Sequence, residues 1–215
     1  MNDGVLCFAN NNGEIDYCKQ AYFLAKRVQK HLNLPTSIVT STPEKLEQYK
    51  DAFDKIIVIQ DREDNVKRYR DGQNSHKNLL FKNSGRCKSY ELTPYDRTIV
   101  IDTDVIICNN HLSKAFDTDH KFQIYKDCVD LTTWRNHSEF SYINDKGIPF
   151  YWATCFYFEK NAETHSFFTI LNHVVDNWTH YQYVYDLGSR YFRNDHAFSI
   201  AIHIMNGYTD GNWAK

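Results

Sequence analysis

Glycine and proline are scarce, 8 and 4 of 215 residues, which excludes a collagen-like, linker-rich or low-complexity protein. No apolar run approaches the ~20 residues of a membrane span, and Asn2-Asp3-Gly4 does not open a signal peptide. Neither sign of charge is in excess. The 25 basic and 27 acidic residues give no global electrostatic case for nucleic acid or a membrane surface as the main partner. Cys-x-x-Cys spacing is absent, so Cys7, Cys18, Cys87, Cys108, Cys128 and Cys155 are expected as reduced core thiols rather than a disulfide framework or zinc site. Repeats and a convincing domain boundary are also missing. What is plentiful is aromatic, 15 Tyr, 14 Phe and 4 Trp. With a length sufficient for one substantial core, this points to a packed, enzyme-like, soluble domain in the cytoplasm. Abundant Asn and Lys over Arg fit an AT-rich coding genome, and a host cytoplasm if the source is viral.

The order of elements predicts an α/β fold. Gly4 to Ala9 is an apolar run, Asn10 to Gly13 is turn chemistry, and Ile15 to Leu34 carries Cys18, Ala21, Tyr22, Ala25, Val28 and Leu32 at helical steps. Pro35 ends that helix and Ser37 to Thr40 reads as a strand. Thr42-Pro43-Glu44 then places an N-cap before a helix bearing Leu46, Tyr49 and Phe53. Lys55 to Ile59 is the third strand. Strands alternating with helices imply a parallel sheet with right-handed crossovers, whose ligands bind beyond the carboxyl ends of the strands. Residues 61–86 read as a solvated polar stretch, Arg86 to Leu92 as a short helix, and Lys126 to Phe150 as a loop-rich excursion of the kind that covers an active site. Strands are expected at Phe122 to Tyr125 and Ala153 to Phe158, and helices at Glu163 to Trp178 and Asp195 to Met205.

The run Thr98 to Cys108, TIVIDTDVIIC, reads as a buried strand interrupted by two carboxylates, Asp102 and Asp104. Residues two apart on a strand face the same side, and two ionised carboxylates ~4 Å apart repel by roughly 4 kcal/mol at an effective dielectric near 20. Either one is protonated or a cation lies between them, and Mg²⁺ or Mn²⁺ suits such oxygen ligands together with substrate phosphates. The alternative is an Asp-x-Asp turn that closes the strand.

The block Glu91 to Val105, ELTPYDRTIVIDTDV, resembles the stretch that leads into the metal-binding aspartates of GT-A glycosyltransferases, most closely family 8. Tyr151 to Phe158 resembles that family's acceptor-side strand, and Arg193-Asn194-Asp195-His196-Ala197-Phe198 its acidic helix start. The resemblance spans Gly4 to Gly207. It implies a GT-A, Rossmann-like, mixed and mostly parallel sheet flanked by helices in one catalytic domain over residues 1–215. A nucleotide-binding half would cover about 1–108 and an acceptor-side half about 109–215. By this resemblance Asp104 ligates Mn²⁺ or Mg²⁺, and Asp102 shares the metal or holds the ribose. Phe8, Ala9 and Asn10 form the nucleotide pocket, and Thr40 or Asp61 lies near the base or ribose. Lys82, Arg86 and Lys88 reach the diphosphate or donor sugar, and Thr103, Trp152 and Thr154 line the substrate site, with Trp134 a further stacking candidate. Asp195 orients the sugar or accepts a proton from the acceptor.

The partners implied are a nucleotide-sugar donor, a UDP-sugar by expectation, and an acceptor that is a saccharide, lipid, protein or modified nucleobase. The family's His-x-x-Gly-x-x-Lys element, which supplies a third metal ligand, is not matched. His203-Ile204-Met205-Asn206-Gly207 has the wrong spacing and falls in a helix pattern, and His196 is a weak alternative; the ligand lies in a missing segment if the chain is truncated, is replaced by water, or never existed. Two alternatives compete. One is a GT-A-like module that binds a nucleotide sugar without turnover. The other is a haloacid-dehalogenase-type phosphohydrolase, whose motif opens its chain and is completed by an acidic pair not found here.

Overall fold

A computed structural model describes the chain except residues 1, 12–14, 61–65, 70–77, 82–83, 129–140, 144–146 and 188–191, and gives the backbone alone at 66–69, 78–81 and 84. Two compact units result, Met1–Thr118 and Asp119–Lys215.

The first unit opens with β1 (Asp3–Phe8), in which Val5 to Phe8 are all buried, and α1 (Tyr17–Leu32). Asp16 caps α1 by accepting from the Lys19 amide at 3.0 Å. The helix buries Cys18, Ala21, Leu24, Ala25, Val28 and Leu32 on one stripe. It ends where Asn33 turns left-handed (φ 54°) and its amide reaches the Val28 carbonyl. Tyr22, expected in the stripe, instead stacks on Tyr49 at 4.9 Å.

Next come β2 (Thr36–Thr40), fully buried, two 3₁₀ turns (Pro43–Leu46 and Lys50–Ala52), and β3 (Ile56–Val58). The helix expected after Thr42 is thus two short turns. Thr42 makes no side-chain cap there, because its hydroxyl is engaged by the loop after β1.

A hairpin of β4 (Val66–Tyr69) and β5 (Asn78–Phe81) follows, where only a solvated stretch was expected. Ser84–Lys88 is a 3₁₀ turn running into α2 (Ser89–Leu92), and β6 (Arg97–Ile101) completes the unit's strands. All pairings among β3, β2, β1 and β6 are parallel, in that order. The register Phe8 to Val39 and Leu6 to Val100 puts Asp102, two residues past Val100, level with Phe8.

The expected strand through Cys108 stops at Ile101. The Val105 amide returns to the Asp102 carbonyl at 3.2 Å, so Asp102 to Asp104 form a turn. Beyond it Ile107 is buried but Ile106 is 76% exposed, and Cys108 is exposed rather than a core thiol. The six cysteines are all free.

In the second unit β7 (Phe122–Lys126) pairs antiparallel with β8 (Tyr151–Glu159), with an irregularity between Ile124 and Tyr125. Three helices follow, α3 (Ala162–Asp176), α4 (Trp178–Val184) and α5 (Asn194–Met205). Asn161 and Thr164 form a reciprocal capping box at the start of α3. The core is a pile of rings. Phe156 lies 4.8 Å from Phe198, Phe122 lies 4.5 Å from Phe167, and Phe158 lies 4.8 Å from Phe168, which places the aromatic-rich composition at the centre of this unit. Four parallel strands and one antiparallel pair, with helices, make the mixed, mostly parallel α/β arrangement expected. No helix among the described residues is long and apolar enough to cross a membrane.

Candidate active site

At the carboxyl end of the first unit's sheet, the loops after β1 and β2 are stitched together. The Thr40 hydroxyl donates to the Ala9 carbonyl at 2.6 Å, and Asn10 Oδ1 accepts from the Ser41 amide at 2.8 Å. Asn11 Oδ1 accepts from the Cys18 amide at 3.0 Å, while its own amide leans on Thr42 Oγ1 at 3.4 Å. Thr40 and Asn10 therefore shape this corner through groups already bonded to backbone. Cys18 lies beneath it, its thiol pushed up chiefly by burial. Phe8 is buried at the floor, and a Cβ built on Gly85 would lie 3.6 Å from the Phe8 ring. The turn that carries Arg86 thus packs directly on the end of β1.

Beside this floor, the Arg86 guanidinium donates from Nη2 to Asp102 Oδ1. Only 4% of the Arg86 side chain is exposed, against 27% of Asp102. The Ser89 hydroxyl donates to the Arg86 carbonyl at 2.7 Å and fixes the turn from behind. Lys88, at the junction with α2, is half-buried. The Asp-x-Asp turn is held from α1 as well. Thr103, 8% exposed, donates to Gln20 Oε1 at 3.2 Å, and Arg27 Nε donates to the Ile107 carbonyl at 2.7 Å. Asp104 is left on the exterior of the turn.

Gln20 and Arg27 carry no functional signal in the sequence. Each sits on the flank of an amphipathic helix, where a polar residue usually faces water, and nothing in the pattern reveals its tie to a distant loop.

The oxygen donors of this turn are of the kind a divalent cation takes. Asp104 offers an open carboxylate, and Asp102 offers one oxygen beyond that held by Arg86. Hard donors of this type suit Mg²⁺ or Mn²⁺ when phosphate and water complete the shell, so the residues fit. Among the described residues no group of three His, Cys, Asp or Glu gathers to hold a metal by itself.

In the second unit, Asp195 lies in the first turn of α5 without capping it. Its Oδ1 accepts from the Ala153 amide at 3.0 Å and its Oδ2 from Arg193 Nη2 at 3.1 Å. The carboxylate is thereby pinned to β8 between Trp152 and Thr154, both half-buried, which brings three of the expected residues together. The Ser199 hydroxyl, accepting from the Tyr151 amide at 2.9 Å, fastens α5 to the same strand. His196 sets its ring edge-on to Phe150 at 5.7 Å, and His203 Nδ1 meets the Tyr185 hydroxyl at 3.0 Å, as befits packing residues. Asp61, Lys82 and Trp134 lie outside the described residues.

Neither a family model nor a curated protein matches the sequence. Solved structures do. An active-site mutant of LgtC superposes with a TM-score of 0.57 at 16% identity, over 93% of this chain and 69% of that one. The galactosyltransferase LgtC in complex with donor and acceptor sugar analogues gives 0.56 at 16% identity, over 93% and 70%. The glycosyltransferase GlyE of Streptococcus pneumoniae gives 0.52 at 10% identity, over 95% of this chain and 43% of GlyE. The chain has the GT-A fold. In GT-A terms, the Asp102 turn occupies the carboxyl edge of the parallel strands, where open α/β sheets bind their ligands. The chain spans under half the length of GlyE.

Proposed function

We propose that this chain is a metal-dependent glycosyltransferase that moves a sugar from a nucleotide-diphospho-sugar, specifically a UDP-sugar, to an acceptor hydroxyl. One observation carries the reading. In a GT-A fold, the Asp102-Thr103-Asp104 turn leaves the carboxyl end of β6 with a buried arginine on the first carboxylate and the second carboxylate open. Mn²⁺ or Mg²⁺ held by Asp104 and Asp102 would supply Lewis-acid stabilisation of the departing diphosphate.

The chain's own residues do the remainder. Arg86 holds Asp102 in place and adds positive charge beside the leaving group. Gln20, through Thr103, fixes the turn so that Asp104 need not be ordered on binding. Phe8, Ala9 and Asn10 form an apolar floor with a polar rim for the nucleoside, and Lys88 stands near enough in sequence to assist the phosphates. Asp195, held by the Ala153 amide and Arg193, orients the sugar or the acceptor hydroxyl.

The likeness is to glycosyltransferases and lends the phosphohydrolase alternative no support. A screen of nucleotide sugars for Mn²⁺-dependent release of the nucleotide diphosphate tests the reading. Turnover with one donor, abolished in Asp104→Ala, is the expected result. Silence with every donor, in the presence of a range of acceptors, would refute it.

A further inference from the structure

The second unit carries a belt of rings that the transfer chemistry does not use. α4 buries none of its residues, yet Tyr181 on it and Tyr185, its C-cap one turn later, present rings 6.4 Å apart with planes only 28° from parallel. His203 of α5 stands edge-on to Tyr185 at 5.8 Å and edge-on to Tyr208 at 5.8 Å. His173 and His180 pack edge-on against Tyr181 at 6.0 and 5.3 Å. Tyr208, 64% exposed, adopts a left-handed backbone (φ 62°) directly after Gly207 (φ 73°). That conformation disfavours a side chain, and here it sets the Tyr208 ring against His203. His203 lies eight residues after Asp195 on one helix, about 12 Å along its axis, so the belt is separate from the Asp195 cluster.

We propose that this belt is a docking surface for a neutral saccharide. A tyrosine ring has an electron-rich face that attracts the polarised C–H groups of a pyranose, while phenol and imidazole edges exchange hydrogen bonds with sugar hydroxyls. Among the described residues, the charge around the belt selects against other partners. Residues 173–187 and 203–211 contain no lysine or arginine, and Asp176, Asp186 and Asp210 are exposed among them. Anionic lipid and nucleic acid recognition relies on such cations. Six side chains also fall well short of the ~20–30 residues a side that a stable protein interface uses, whereas they match a saccharide of a few units. Docking here needs neither nucleotide nor metal, so it stands apart from the transfer reading.

The test is binding of the full chain to an array of neutral, sialylated and sulfated oligosaccharides, followed by saturation-transfer NMR on the neutral ones without nucleotide or metal. Retention of neutral oligosaccharides is expected, weakened roughly tenfold by Tyr208→Ala and by Tyr181→Ala and preserved in Tyr208→Phe. Tyr183→Ala is the control. Tyr183 is 88% exposed but lies two residues from Tyr181 and makes no ring contact with the belt among the described residues, so its loss should leave affinity unchanged. Asp104→Ala should likewise bind as well as the parent. Failure to retain any oligosaccharide, or retention indifferent to Tyr208→Ala, overturns the proposal. So does a Tyr208-dependent affinity for phosphatidylcholine vesicles or a Tyr208-dependent dimer in sedimentation, in place of sugar binding.

Discussion

Arg86 and Asp102 form a half-buried ion pair in which the cation is the more deeply enclosed partner. The guanidinium has 4% of its side chain exposed and the carboxylate 27%. Removing one partner of an enclosed ion pair is the costly way to break it. Asp102→Ala should therefore destabilise the protein by on the order of 3 kcal/mol, whereas Asp104→Ala, on the exposed side of the turn, should stay within about 0.5 kcal/mol. Urea denaturation of the two variants distinguishes them. Equal losses would contradict the asymmetry of the turn.

Gly4 is pressed against the Tyr95 ring, and a Cβ there would overlap ring atoms. Tyr95 is 1% exposed and its hydroxyl is tied to Ser37 Oγ at 2.7 Å and Asp54 Oδ2 at 3.2 Å, so the ring has no room to retreat. Gly4→Ala should cost roughly 1–3 kcal/mol, as overpacking does. A thermal midpoint equal to the parent's would mean that the ring moves freely.

Alkaline pH should weaken the fold. Burial raises the Cys7 thiol well above its ordinary range, raises Cys128 to about 11, and holds the Tyr95 phenol up as well. For an acid whose folded pKa is raised, the unfolded chain loses its proton first, so stability is fully present below the unfolded pKa and falls as pH rises from there toward the folded value. The decline should begin near pH ~8.5 for the thiols and steepen near pH ~10 for the phenol. The fully enclosed Cys7 thiol adds up to about 1.4 kcal/mol per pH unit, and Cys128 and Tyr95, which lie nearer the surface, add less because solvent screens them. Cys7→Ala should flatten the first limb in urea titrations between pH 7.5 and 9.5. A limb unchanged in that variant would remove Cys7 as a contributor.

Asp195 has both oxygens occupied by donors from its own unit. Asp195→Asn keeps an acceptor for the Ala153 amide and should fold normally, yet reduce sugar transfer by about a hundredfold or more if the carboxylate meets substrate. Asp195→Ala removes the carboxylate that accepts from Arg193 and from the Ala153 amide and should also lower stability. Transfer unchanged in Asp195→Asn would reduce Asp195 to a structural clasp.

Much of this was legible in the sequence because it rests on period and punctuation. Apolar runs at 4–9 and 37–40 became β1 and β2, and the stripe after Asp16 became α1, capped by that residue. The strand before the aspartates is legible in the sequence, but its end is not. Val105 to Ile107 are as apolar as any strand, and only the tie of Thr103 to Gln20 and of the Ile107 carbonyl to Arg27 shows why the chain turns away at Asp102. The hairpin at 66–81 was hidden by its polar flanks. Arg86 was legible as a candidate by its place before the aspartates, but its burial was not, since an arginine in a polar stretch normally faces solvent. Long-range side-chain ties carry no periodic signature.

The sugar transfer proposed at the Asp102-Asp104 turn is metal-assisted. The most direct measurement is the rate of UDP release from UDP-sugars with and without Mn²⁺, in the parent and in Asp104→Ala. Release should need Mn²⁺ and fall at least a hundredfold in Asp104→Ala, while that variant retains its fold. Release at the parental rate in Asp104→Ala, or none from any UDP-sugar with a folded parent, would contradict it.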